Sequence, residues 1–168
     1  MLDSLFLKKF NKIRARHLEY RSPERDDWAK FVDSTFHEDR KFTDDGELGR
    51  TVAAGYTDFM GGPRTVRLLG RFARRFPRTA TRILTLLTPG LFRWLVGPMR
   101  RTGRHERQIT RCTFLTSTNP ALCHRICKVP TERFFTETLS VPLTLTPDLR
   151  TSECLVSFTP YEAPKDTS

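Results

Sequence analysis

No acidic residue occurs between Phe59 and His105, and no cysteine precedes Cys112. Confinement of the four cysteines to the last third predicts that the C-terminal part brings its thiols together. The N-terminal stretch Met1–Phe10 is broken by charge before an apolar signal core can form. An even cysteine count without such a signal points to metal or redox chemistry rather than a secreted disulfide scaffold. The same stretch is poor in serine, which argues against an organelle-targeting leader and against a plastid address. Gly-x-Ser-x-Gly, a phosphate loop, a dinucleotide fingerprint and His-Glu-x-x-His are all missing, so the common hydrolase and nucleotide sites are excluded. No apolar run reaches the roughly 20 residues that cross a bilayer. The longest candidate, Ile83 to Val96, is cut by Pro89-Gly90 and Arg93. Internal repeats and low-complexity tracts are also lacking.

What is present suits one folded unit. The chain has 168 residues, enough to bury a core, and 13 phenylalanines carry much of its apolar content. The net charge of +10 favours an anionic partner, either an acidic membrane surface or nucleic acid. Leu2, Leu5, Phe6, Phe10 and Ile13 form a helical stripe, with Lys8, Lys9, Lys12, Arg14 and Arg16 off it. Ser22-Pro23-Glu24 reads as a helix start, and Trp28, Phe31, Val32 and Phe36 follow as a buried face. A charged loop is expected over 37–49, a short helix over 50–59 and a turn at Gly61-Gly62-Pro63.

The acid-free segment carries two further helical patterns. Leu69, Phe72, Ala73 and Phe76 run to Pro77, and Ala80, Ile83, Leu84 and Leu87 run to a break at Pro89-Gly90. Leu91, Phe92, Trp94, Leu95 and Val96 then form an apolar knot closed by Gly97-Pro98. Two readings fit: cationic helices lying in a lipid interface, or an ordinary core pair with a solvated arginine face. Nucleic-acid binding fits less well, because the aromatics fall on the apolar side rather than among the arginines.

Beyond this segment the pattern is mixed. Residues 108–116 read as a strand with Cys112 and Phe114 on one face. Asn119-Pro120 starts a helix bearing Cys123 and Cys127, which ends at Lys128-Val129-Pro130. A second helix follows from Thr131 to Leu139, then an extended stretch from Val141, a turn at Pro147-Asp148 and a strand with Cys154, Val156 and Phe158 on one face. The fold class is therefore α+β: a helical N-terminal two-thirds packed on a small C-terminal cysteine-bearing module. Its parts are expected at 1–60, 61–160 and a polar tail over 161–168.

Cys123 and Cys127, four apart on a helix, share a face. With Cys112 and Cys154 they could form a soft sulfur site for zinc or iron, although two Cys-x-x-Cys pairs of a zinc ribbon are lacking. Buried thiols acting as small hydrophobes, or a structural disulfide, are the alternatives. His124 points away from the pair, and His37 and His105 read as exposed titrating groups.

Phe92-Arg-Trp94-Leu-Val-Gly97-Pro98, Cys112-Thr-Phe-Leu115, Cys123-His-Arg-Ile-Cys127-Lys-Val-Pro-Thr-Glu-Arg-Phe-Phe135, Val141-Pro-Leu-Thr-Leu and Ser152-Glu-Cys154 occur in one order. Together they resemble the dwarf twenty-seven family, whose plant members are plastid carotenoid isomerases of strigolactone synthesis. The resemblance spans roughly 60–160. It implies an iron-dependent cis–trans isomerase acting on all-trans- or 9-cis-β-carotene or a related polyene. Cys123 and Cys127 would then be catalytic, and Cys112, Cys123, Cys127 and Cys154 the metal ligands, with zinc as the alternative metal. Arg125 and Lys128 flank the thiol pair and could lower its pKa. A carotene lives in a bilayer or lipid droplet. This predicts an intracellular protein at an anionic membrane surface, with Leu91, Phe92, Trp94 and Leu95 at the apolar opening and Arg71, Arg74, Arg75, Arg78, Arg100 and Arg101 on lipid headgroups. The rival functions are a non-enzymatic, metal-stabilised membrane- or partner-binding module and a basic nucleic-acid-binding protein.

Overall fold

The computed structural model describes residues 2–162. Five helices precede a four-stranded sheet, the α+β arrangement expected. Helix α1 (Leu2–Leu18) packs on α2 (Asp27–Lys41) and α3 (Asp45–Phe59) through Phe10, whose ring meets Phe31, Tyr56 and Phe59. Each such buried aromatic contributes about 1.5–3 kcal/mol. The α1 stripe is shifted from the expected one: Leu5 is exposed, and Arg14 is buried against Glu38 of α2.

Helix α2 starts five residues after Ser22. Asp26 is its N-cap, its carboxylate accepting from the amides of Trp28 and Ala29. Most of the charged loop expected over 37–49 is helix: α2 continues to Lys41, and Asp44 caps α3. Polar composition misleads here because these charges face water or, like Glu38, are paired.

At Gly61 and Gly62 φ is +99° and +94°, a conformation that glycine adopts without strain. Helices α4 (Pro63–Arg75) and α5 (Pro77–Val96) follow, with Pro63 and Pro77 each in a first turn where no amide is needed. Contrary to expectation, α5 continues through Pro89-Gly90. Thr85 and Thr88 donate their hydroxyls to the carbonyls of Thr81 and Leu84 inside this helix, and packing against the sheet and α1 holds it together. The helix ends at Gly97, where φ is +91° and an added Cβ would lie 2.5 Å from the Arg111 carbonyl oxygen.

Strands β1 (Met99–Arg101), β2 (Glu106–Ile109), β3 (Leu143–Asp148) and β4 (Glu153–Phe158) form an antiparallel sheet in the order β1-β2-β4-β3. Strand β2 stops at Ile109, so Cys112 and Phe114 are not on a strand. Cys112 is the N-cap residue of α6 (Thr113–Ser117). Pro147 and Asp148 belong to β3, and the turn lies beyond them, where Asp148 accepts from the amides of Arg150 and Thr151.

The helical run over 120–138 is continuous, against the expected break at Pro130. It comprises α7 (Pro120–Leu122), a π-helical turn at Cys123–Lys128, α8 (Val129–Arg133) and a second π-helical turn at Phe134–Thr138. Asn119 caps its start as expected, accepting from the Leu122 amide. The π turn explains how Pro130 fits. Val129 donates five residues back, to His124, so the ladder has widened just before the residue that lacks an amide.

Candidate active site: an apolar cavity bordered by four thiols

Between the 120–138 helix, α5, α3 and the inner sheet face lies a cavity of about 300 Å³. All four thiols border it. Cys123 and Cys127 come from the first π turn, Cys154 from β4, and Cys112 from the start of α6. Two contacts set Cys112 near Cys154: Ile109 is in register with Cys154, and the Cys112 amide donates to the Ser152 carbonyl at 2.7 Å. The sheet supplies a floor in rows. Met99, Ile109, Cys154 and Pro147 are cross-strand neighbours, as are Leu143 and Phe158, and all of them line the cavity. Phe135 closes one end between Phe92 and Phe158.

The polar side chains on the wall are already occupied. Tyr56 and Thr131 share a hydroxyl–hydroxyl bond of 2.9 Å. Thr88 donates to the Leu84 carbonyl, and Lys9 to the Phe59 carbonyl at 3.0 Å. Lys128 donates to Glu132 and to the Leu145 carbonyl, while Glu132 accepts from the Leu145 amide at 2.7 Å. That clip fastens the thiol-bearing helix to β3. The surface left for an occupant is carbon and sulfur. Sequence reading missed the Tyr56–Thr131 pair and the Lys128–Glu132 clip. Only the i,i+4 spacing of Lys128 and Glu132 hinted at either.

The thiols are held neutral. Burial pushes Cys123 up to about 11 and Cys154 to about 12, with Cys112 adding to both, Cys123 adding to Cys154, and Lys128 opposing the rise. Burial also raises Cys112, partly offset by the amides of Leu115 and Phe114, and raises Cys127 well above the usual thiol range. Lys128 therefore does not produce a standing thiolate. Arg125 does not flank the thiols at all: it binds Asp39, the Phe42 carbonyl and Asp45 at the α2–α3 junction. A thiol whose folded pKa is raised leaves stability unchanged below the unfolded value, then lowers it as pH climbs toward the folded value. Stability should therefore fall above pH 9.0 toward about 11, by about 1.4 kcal/mol per pH unit for each thiol. Urea denaturation across that range measures the slope, and a flat profile would show that the thiols ionise freely.

Convergence on one cavity is not convergence on one ion. Among the described residues no three His, Cys, Asp or Glu side chains are placed to hold a metal. The four cysteines are free thiols without a disulfide. His124 is exposed, as its helical angle implied, whereas His37 is half-buried, stacked on Tyr20 at 3.8 Å. His105 is half-buried too.

Of the residues expected at the apolar opening, Leu91, Phe92 and Leu95 line the cavity. Trp94 does not. It is buried between Phe10 and Phe59, and its indole donates to the Leu91 carbonyl. Leu95 is buried as well, so neither is membrane-facing. The exposed apolar side chains of the α4–α5 region lie earlier, at Leu68, Leu69, Phe72 and Phe76 and at Ile83, Leu86 and Leu87. Arg71, Arg74, Arg75, Arg78, Arg100 and Arg101 are exposed. Among the described residues no helix is long and apolar enough to cross a membrane.

The part of the chain that carries this cavity is similar to known proteins. A family model described as beta-carotene isomerase D27-like, C-terminal, matches residues 94–167. The chloroplastic beta-carotene isomerase D27 of Arabidopsis thaliana is 30% identical over 105 residues, covering 57% of this chain and 40% of that protein. The protein of the same name from Medicago truncatula is 29% identical over 90 residues, covering 48% and 36%. The chain thus spans well under half the length of these relatives. No solved structure matches. The matched segment contains all four thiols and all four strands, and over it the chain is similar to the C-terminal part of beta-carotene isomerase D27-like proteins.

Proposed function

We propose that this protein is a cis–trans isomerase of a carotenoid, β-carotene or a related polyene, bound in the thiol-bordered cavity. One observation carries the reading: the hydrogen-bonding side chains of the wall are satisfied within the protein. Such a wall offers nothing to a polar ligand and costs a hydrocarbon nothing in unmade hydrogen bonds. The names of the relatives support the same reaction class.

Turning one double bond requires its π overlap to be interrupted, and the product has the same formula as the substrate. A neutral thiol can do this reversibly. Its sulfur bonds to one carbon of the double bond and its proton goes to the other. Rotation follows about the resulting single bond, and elimination then returns both sulfur and proton to the cysteine. Cys123 and Cys127, adjacent on the π turn, are assigned this role, with Cys112 and Cys154 bracing the opposite wall. The resemblance also implies iron. The thiols as placed do not form a ligand set for it, so the proposed step uses the thiols alone.

Peripheral association with an anionic membrane or lipid droplet belongs to the same proposal. Helix α5 gives Leu84, Leu91 and Phe92 to the cavity and shows Ile83, Leu86 and Leu87 to solvent. Exposed Phe72 and Phe76 on and just after α4 extend that surface, among Arg71, Arg74, Arg75 and Arg78. Apolar side chains rimmed by cations suit an interface rich in anionic lipid.

Incubation with all-trans-β-carotene and isomer-resolved chromatography tests the activity. Val156 stands in the middle of the cavity floor, between β2 and β3. Val156→Trp should leave the chain folded, at a cost of about 1–3 kcal/mol. It should weaken retention of carotenoid by at least about tenfold, or 1.4 kcal/mol. Undiminished retention and turnover in this variant would place the substrate elsewhere.

A further inference from the structure

The row of the cavity floor that contains Val156 ends in an arrangement the hydrocarbon reading does not use. Reading across the sheet from β3, the row runs Leu145, Val156, Arg107, Arg101. Arg101 and Arg107 are thus direct cross-strand partners on β1 and β2, in the row that faces inward. Met99 and Ile109 lie two residues further along the same two strands and line the cavity. Arg107 is also the direct cross-strand neighbour of Val156, so the arginine pair borders the cavity floor.

This pair is unfavourable as it stands. Like charges directly opposite on antiparallel strands destabilise the sheet. Arg107 is only 6% exposed, and an uncompensated buried charge is costly. Its bonds do not compensate it: Nη1 donates to the Glu106 carbonyl at 2.7 Å, and Arg101 Nε reaches the Gly103 carbonyl at 3.5 Å. Neither arginine has a carboxylate within ion-pair distance among the described residues. The carboxylates carried by the strands, Glu106, Asp148 and Glu153, alternate to the outer face. Burial, and then the field of Arg101, both disfavour the charged form of Arg107.

We propose that Arg101 and Arg107 form a binding site for a phosphate group at the β1 side of the cavity floor. Two guanidinium forks can share one phosphate through paired N–H···O bonds, and the anion removes both the mutual repulsion and the uncompensated charge. The phosphate could be a lipid headgroup, whose tails would lie toward Met99 and Ile109, or a free ion. The site does not rest on the isomerase reading, because it requires no polyene.

The test compares the intact chain with Arg107→Gln, Arg101→Gln and Arg100→Gln. The last removes the same charge from the same hairpin but from the outer face, where Arg100 opposes Gln108. Inorganic phosphate, set against sodium chloride of equal ionic strength, should raise the thermal midpoint of the intact chain and of Arg100→Gln by several degrees at saturation. Arg107→Gln and Arg101→Gln should lose that rise, and Arg107→Gln should be more stable than the intact chain without phosphate. Flotation on phosphatidylcholine vesicles with or without phosphatidic acid separates the sources. Selective loss of acidic-vesicle binding in the two inner-face variants assigns a headgroup, while an effect confined to inorganic phosphate assigns the free ion. Equal midpoints in phosphate and chloride, with no difference between inner- and outer-face variants on vesicles, would overturn the site. Exposed Arg101 keeps the comparison decisive even if Arg107→Gln fails to fold.

Discussion

Protein carrying Cys123→Ser together with Cys127→Ser is expected to fold, to retain carotenoid and to lose isomerisation by at least about a thousandfold. Serine keeps the shape of cysteine but not its chemistry, since a hydroxyl oxygen is a far poorer nucleophile toward carbon than sulfur. The stability cost arises from burial. Cys123 is buried and Cys127 half-buried on a wall whose hydrogen-bonding partners are taken. Each hydroxyl left without a partner costs about 1–3 kcal/mol. Urea denaturation reads that cost, the carotenoid absorption spectrum reads retention, and the isomer ratio reads turnover. Metal analysis of both proteins, purified without oxygen, shows whether the same thiols also hold iron or zinc. Full turnover in the double variant would remove both residues from the mechanism.

The second large effect is on the fold. Glu38→Gln is expected to cost about 3–5 kcal/mol, much of the roughly 5–15 kcal/mol that a domain of this kind has in total. Arg14 and Glu38 are both buried and meet at 2.5 Å. Arg14 also donates to Thr35 and to the Phe31 carbonyl and lies over the Phe31 ring. Glutamine keeps the size of the acceptor and removes its charge, leaving a guanidinium in an apolar core without compensation. Arg14→Met combined with Glu38→Leu should be close to wild type, because it removes both charges and the need to desolvate them. This pair also matters to the site: Arg14 and Glu38 border a small second cavity of about 40 Å³ that shares Tyr56, Leu95 and Cys127 with the large one. Urea midpoints for the single and double variants test the argument. A Glu38→Gln protein as stable as wild type would show that water reaches the pair.

Local signals read correctly where one residue decides the backbone. Asn119-Pro120, Gly61-Gly62-Pro63 and Gly97-Pro98 mark a cap, a turn and a helix end that the structure shows. They read incorrectly where tertiary contacts outweigh a local preference. Pro89-Gly90 reads as a break, yet α5 runs through it because packing on α1 and the sheet holds both halves. Pro130 reads as a stop, yet a π turn just before it absorbs the missing amide. The alternation Cys112-x-Phe114 suggested a strand, but this segment turns at Cys112 and coils into α6.

The sequence by itself determined the α+β class, the clustering of thiols in the last third and the acid-free cationic segment, because composition and periodicity carry that information. Tertiary structure alone decided that four thiols share one greasy chamber, that burial keeps them protonated, that Trp94 turns into the core and that Arg107 faces Arg101. Those properties depend on distances and dielectric surroundings between residues far apart in the chain, which no one-dimensional pattern encodes.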